Sequence, residues 1–234
     1  TSMARLSSGK RINSASDDAA GVAISSRLSA EIRGTDQAIR NSLDGQALID
    51  TAEGAHKEIE NILQRMREVT IQAANDTNND QDRANLQAEI EAMTTEIDRI
   101  AGTTTWAGAD LMEDATTTFS FQVGAATGAK NQISVTIETM NATGLGVGTG
   151  TASVVDVTDA TKANTGTGLI DAAIEDVNIQ RSKLGAVSNR LNHTVNNLTN
   201  ISSNLSAAKG GIEDADFALE TTNLAKNQIL QQAS

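Results

Sequence analysis

Between residues 52 and 73, the small and apolar side chains Ala52, Ala55, Ile59, Ile62, Met66, Val69 and Ala73 recur at alternating steps of 3 and 4. An α-helix turns once per 3.6 residues. This heptad spacing therefore places all of them on one stripe and leaves Lys57, Glu58, Arg65, Arg67, Glu68 and Gln72 outside it. An isolated helix of this length is marginal in water, whereas each large aliphatic side chain buried in a seam contributes roughly 1.5–3 kcal/mol. The stripe thus predicts partner helices.

Upstream, Ile24, Leu28, Ile32, Ile39 and Leu43 extend the helical pattern, and Ser14, Ser16, Asp17 and Asp18 supply capping side chains and favourable charge. One long helix is expected from near Asp17 to about Asn75. Gly21, Gly34, Gly45 and Gly54 interrupt it. Each costs about 1 kcal/mol relative to Ala and is tolerated where another backbone packs closely.

Residues 75–80 are turn-forming, with Asp80 as the expected cap, and Leu86, Ile90, Met93, Ile97 and Ile100 form a second seam. So short a connection predicts an antiparallel helix hairpin. From Leu169 the period returns through Ile170, Ile174, Val177, Leu184, Val187, Leu191, Val195, Leu198, Ile201, Leu205, Ala208 and Ile212, with one double step across Arg181. This third helix is long enough to lie along the first. Gly210 and Gly211 should end or kink it, and Phe217, Leu224 and Ala225 mark a further amphipathic piece.

Residues 103–168 differ. Half of the chain's 18 glycines fall there and helical periodicity stops. Alternation at Phe119, Phe121 and Val123, and again at Ile133, Val135 and Ile137, predicts a β-hairpin with one buried face. Residues 144–150, glycine at every second position, read as a flexible loop; no Lys-Ser/Thr pair or helix start follows to make it a phosphate cradle. The predicted class is mainly α, with long antiparallel helices in a coiled-coil bundle and a small β-hairpin and loop insertion. Its parts are residues 1–102, the insertion 103–168, and residues 169–234.

Composition narrows this picture. With one Trp, three Phe and no Tyr, aliphatic residues and Ala must do the packing, which favours slender helix-on-helix cores. The absence of Pro permits very long helices, and the absence of Cys excludes disulfides and thiolate metal sites. A net charge of −12 argues against a nucleic-acid partner, which needs clustered Lys and Arg. No apolar run reaches bilayer-spanning length, so no membrane insertion is expected, and residues 1–10 lack a signal-peptide core. Thr1-Ser2 ahead of Met3, and an end at Ser234 without a helix-stop signal, suggest a chain trimmed at both ends.

No catalytic, cofactor or metal site is legible. His56 and His193 sit on different predicted helices without a second ligand at metal spacing and read as helix-surface residues, while the carboxylates lie on polar faces. The sequons at Asn192, Asn197, Asn200 and Asn204 read as polar helix surface. Arg65, Glu68 and Gln72 step by 3 and 4 and so form one exposed line beside the core line of Met66, Val69 and Ala73. A solvated face and a partner contact both fit that spacing.

LSSGKRINSASDDAAG at residues 6–21 resembles the N-terminal signature of bacterial flagellin. LQRMREV at 63–69 resembles that family's helix motif, and IEDADFA at 212–218 with QILQQA at 228–233 resembles its C-terminal block. The resemblance spans about residues 6–101 and 169–233 and implies an extracellular, self-assembling filament subunit of the bacterial flagellum. Such a subunit is secreted without a cleavable signal peptide and is not an enzyme. It further implies that Toll-like receptor 5 recognises the helix motif on a monomer, with Arg65, Glu68 and Glu89 at matching positions and Val69 where many recognised members carry Leu. The same face, with Gln72, would pack between subunits in a filament. A chain lacking the outermost segments is expected to stay monomeric. A hook–filament junction protein remains the alternative within the family, and an insertion that binds a carbohydrate or other polymer is the alternative from another class.

Overall fold

The computed structural model describes residues 2–113, 115–149 and 153–232, so the readings made at Gly150 and Ala233 fall outside the described residues. The expected class, mainly α with a small β insertion, is what the chain adopts. Helix α1 is Ser2–Ser8, α2 is Ala19–Ala73, α3 is Asp80–Thr103, α4 is Ala160–Glu213 and α5 is Phe217–Gln232. Between α3 and α4 lie strands β1 (Thr105–Trp106), β2 (Ala109–Asp110), β3 (Thr117–Gln122) and β4 (Gln132–Ile137). β1 pairs with β2, and β3 with β4. Two compact units share the long helices: Thr1–Ser42 with Gln122–Gln132 and His193–Ser234, and Leu43–Phe121 with Ile133–Asn192.

In the first unit, the two terminal sequence blocks meet. Gly9, at φ 71, takes a left-handed turn after α1 that suits glycine. Lys10 then bridges to Asp214, the Arg11 amide donates to the Glu213 carbonyl at 2.6 Å, and the Ala215 amide donates to the Gly9 carbonyl at 3.0 Å. The following turn is tied by Asp17, whose carboxylate accepts from the Asn13 and Ser14 amides. Those bonds, the one from Asn13 foremost, hold its pKa below the ordinary carboxylate value. Asp18 accepts from the Gly21 amide at 2.8 Å, capping α2 at its start.

Along this part of α2 the buried residues are Gly21, Ser25, Thr35, Ala38 and Ser42. The larger Ile24 and Leu43 of the expected stripe are 39% and 48% exposed. Small side chains allow close approach, and a buried hydroxyl is tolerated once bonded, as when Ser42 donates to the Ala38 carbonyl at 2.8 Å. Gly34 meets Ala125 so closely that an added Cβ would lie 2.9 Å from the Ala125 Cβ. Asp36 accepts from the Ser202 hydroxyl at 2.8 Å, tying α2 to α4.

In the second unit the fully buried residues of α2 include Leu48, Ile49, Ala52, His56, Ile59, Leu63, Met66, Val69 and Ala73. Ala55 and Ile62 are only half-buried, and His56 and Leu63 take the inner positions instead. A two-sided packing explains the shift, because α2 has α3 on one flank and α4 on the other. On the α4 side Arg67 meets Asp171 at 2.5 Å and Thr70 accepts from Thr167 at 2.9 Å, which sets the two helices antiparallel. His56, expected on the surface, is a core residue; His193 is exposed. Gly45 lets the Phe121 ring approach to 3.1 Å of the position its Cβ would take, whereas Gly54 has nothing within 4 Å.

Helix α4 begins at Ala160, well before Leu169. Its first turns bury Ala163, Gly166 and Ile170, so small residues concealed the period; a Cβ on Gly166 would come within 2.9 Å of Val155. In the insertion, β4 alternates as expected, burying Ile133, Val135 and Ile137. The hydroxyls of Thr118 and Thr136, and of Ser120 and Ser134, face each other across the hairpin at 3.1 and 3.4 Å. Residues 144–149 form a packed turn rather than a flexible loop. Leu145 and Val147 between the glycines are buried, and the Val147 and Gly148 amides both donate to the Ala142 carbonyl at 2.9 Å.

Candidate functional site

The exposed line on α2 is positioned by the corner that follows it. Asn79, not Asp80, is the N-cap of α3, and with Asp82 it forms a capping box: the Asn79 side chain accepts from the Asp82 amide at 2.9 Å, and the Asp82 carboxylate accepts from the Asn79 amide at 3.1 Å. Asp80 is the first helical residue, where its charge still favours the helix start. Asn78 Nδ2 donates to the carbonyls of Gln72 and Asn75 at 2.7 and 2.9 Å. Arg83 folds back, buried, and donates to the carbonyls of Ala73 at 2.6 Å and Asn75 at 3.2 Å. These bonds satisfy the orphan carbonyls at the C-terminus of α2 and fix the register of α3 against it.

That register brings Glu89 beside Arg65. Arg65 Nε donates to Glu89 Oε1 at 3.0 Å, Nη2 lies 2.8 Å from the same oxygen, and Nη1 donates to Glu68 Oε2 at 3.0 Å. The bond to Glu89, then that to Glu68, raises the guanidinium pKa above its ordinary value. All three side chains are accessible, at 51% for Arg65, 69% for Glu68 and 39% for Glu89, so salt screens the pairing. Gln72 is exposed one turn further on, and Val69 is wholly buried beneath the line.

The structure therefore joins Arg65, Glu68 and Glu89 in one bonded cluster, leaves Gln72 on the same face without a bond to it, and puts Val69 in the core. The cluster can offer a planar guanidinium fork flanked by two carboxylates with unused acceptor capacity. Sequence reasoning missed Arg83. Its signal was a basic residue just beyond a helix end, one turn before the apolar seam that continues at Ile90.

Among the described residues no group of three or more His, Asp or Glu side chains could hold a metal ion, and no helix is long and apolar enough to cross a membrane.

Residues 1–117 match the bacterial flagellin N-terminal helical region, and residues 167–234 match the bacterial flagellin C-terminal helical region. A flagellin of Halalkalibacterium halodurans is 46% identical over 99% of this chain and 84% of its own length. A flagellin of Bacillus subtilis is 44% identical over 99% of this chain and 85% of its own. The crystal structure of Bacillus cereus flagellin aligns at a TM-score of 0.56 and 31% identity, covering 73% of this chain and 94% of that one. A putative flagellar hook-associated protein from Vibrio parahaemolyticus shares the fold at a TM-score of 0.69 and 16% identity, over 85% of this chain and 100% of that one. With helical regions matched at both ends and this identity over nearly its whole length, the chain belongs to the bacterial flagellin family and is a structural subunit of the flagellar filament.

Proposed function

We propose that the line of Arg65, Glu68 and Gln72 on α2, with Glu89 of α3, is a surface through which this filament subunit meets a neighbouring subunit, and through which a free monomer meets Toll-like receptor 5. The observation that carries the reading is the Arg65 fork, bonded to Glu89 and Glu68 yet half-exposed on a helix face. Such a fork can exchange an internal carboxylate for one on a partner at little cost, because an exposed ion pair is only weakly favourable. Val69 supports the surface from below. Its burial sets the rotation of α2, so its size bears on how the polar line is presented rather than on direct contact.

In this reading the protein works outside the cell by helical self-assembly and not by catalysis, after export without a cleavable signal peptide. The 234-residue chain by itself is monomeric. Residues 1–102 and 169–234 act as two halves of one helical domain, with 103–168 as its insertion. The test is a receptor reporter assay with Arg65→Ala beside Lys130→Ala, which alters an exposed turn of the insertion. A loss confined to Arg65→Ala supports the surface, and equal responses sink it. Filaments seen by electron microscopy from the 234-residue chain alone would contradict its monomeric state.

A further inference from the structure

His56 lies on α2 with no exposed surface, and neither Nδ1 nor Nε2 makes a well-formed hydrogen bond within the protein. Its neighbours one turn away on the helix, Ala52 and Ile59, are equally buried. The opposing stretch of α4 is polar. Gln180 is fully buried, donating from Nε2 to the Thr136 carbonyl at 2.8 Å while its Oε1 accepts nothing. Arg181 reaches Glu53 at 3.2 Å and also Glu60, one residue on each side of His56 along α2.

The charges around this layer are almost all committed elsewhere. On α2 these are Glu53 and Glu60, both held by Arg181, and Lys57, which is exposed. On α4 they are Arg181 itself and Lys183, which takes Glu138 beyond β4 at 2.6 Å. On α3 the register set by Arg65 and Glu89 brings up Asp98 and Arg99. Asp98 accepts from the Ala142 amide at 2.7 Å, and Arg99 is paired with Glu96 at 2.6 Å. No carboxylate is bonded to the imidazole to balance a positive charge, and the Arg181 guanidinium opposes one.

We propose that His56 is a proton-operated latch in the α2–α4 layer of the second unit. Neutral, it packs as a core side chain. Protonated, it carries an N–H on each ring nitrogen and a charge for which the closed layer offers no bonded counter-ion, so acid opens the layer. Burial is the main force on its ionisation and lowers its pKa from 6.5 to about 4; the Ala52 carbonyl, one turn back on α2, and Glu53 pull upward and Arg181 downward, each more weakly.

The sign follows from which state binds the proton. Between the unfolded pKa of 6.5 and the folded pKa of about 4, the unfolded chain is protonated and the folded chain is not. Stability contributed by this group is therefore complete above 6.5 and is lost as pH falls toward 4. For His56 alone this raises the unfolding equilibrium constant about 30-fold between pH 7.5 and pH 5.

The test has two arms on the 234-residue chain. Nuclear magnetic resonance follows the His56 ring through a pH titration, with free imidazole in the same sample as the reference. The expected result is a His56 ring that stays neutral in the folded protein at pH 5, where free imidazole is protonated. A His56 ring that is already protonated at pH 5 while the fold persists overturns the proposal. Denaturant unfolding of the parent and of His56→Leu at pH 7.5 and pH 5 should show the parent losing about 30-fold more than the variant. Equal losses overturn it. The titration needs no variant, so it decides the matter even if Leu fits the layer poorly.

Discussion

Arg83, in the first turn of α3, donates from Nη1 to the carbonyl of Ala73, the last residue of α2, at 2.6 Å. One buried side chain thus ends one helix and fixes where the next begins. Arg83→Ala would leave the Ala73 and Asn75 carbonyls without this donor, at a cost of about 1.5–3 kcal/mol for a charged hydrogen bond. Arg99→Ala, which removes an exposed pair with Glu96, should leave the unfolding midpoint unchanged. Denaturant melts of the two variants side by side separate these outcomes.

Gly45 and Gly54 should respond oppositely to the same substitution. A Cβ at Gly45 would lie 3.1 Å from the Phe121 ring, tight enough to push it, whereas Gly54 faces open space. Gly54→Ala should stabilise the chain by about 0.5–1 kcal/mol through helix propensity. Gly45→Ala should fail to gain that amount, and Gly45→Val should lower the melting temperature. Thermal melts followed by circular dichroism read all three.

If the Arg65 cluster is a contact surface and not a stabilising one, its loss should alter recognition without altering the fold. Arg65→Ala should melt with the parent protein while reducing the receptor response. An unchanged response would assign Arg65 to the solvated face alone.

Asp156 anchors the approach to α4. Its carboxylate accepts from Lys162 at 2.8 Å and from the Thr158 hydroxyl and amide at 2.6 and 2.9 Å, and these bonds, led by Lys162, hold its pKa down at about 2. A lowered folded pKa contributes stability above the ordinary value of 3.8 that disappears as pH falls toward 2. Asp156→Asn should therefore be less stable than the parent at pH 7, with the gap closing below pH 3.8. A gap that stays constant down to pH 2 would remove the ionised carboxylate as its cause.

The helix hairpin, the third long helix and the β-hairpin were all legible, because steps of 3 and 4, or of 2, report which residues can share a face. The proposed contact line was legible only as a spacing. That Glu89 closes on Arg65 depends on the corner geometry set by Arg83 and Asn79, which no periodicity encodes. His56 was misplaced for a related reason. A one-sided heptad leaves it off the seam, but α2 packs on two sides, so the buried stripe widens to include it.

What the sequence determined by itself is the helical character of the chain and its family, since both reside in local spacing and in contiguous blocks such as residues 6–21. Which flank of each helix lies inside depends instead on the partner it packs against. Ser25, Thr35 and Ser42 are buried while Ile24 and Leu43 stay 39% and 48% exposed, and α4 starts at Ala160 on the small residues Ala163 and Gly166. Hydrophobicity ranks side chains by their cost in water, but close approach of two helices selects them by size. Size becomes decisive only when the partner surface is in place.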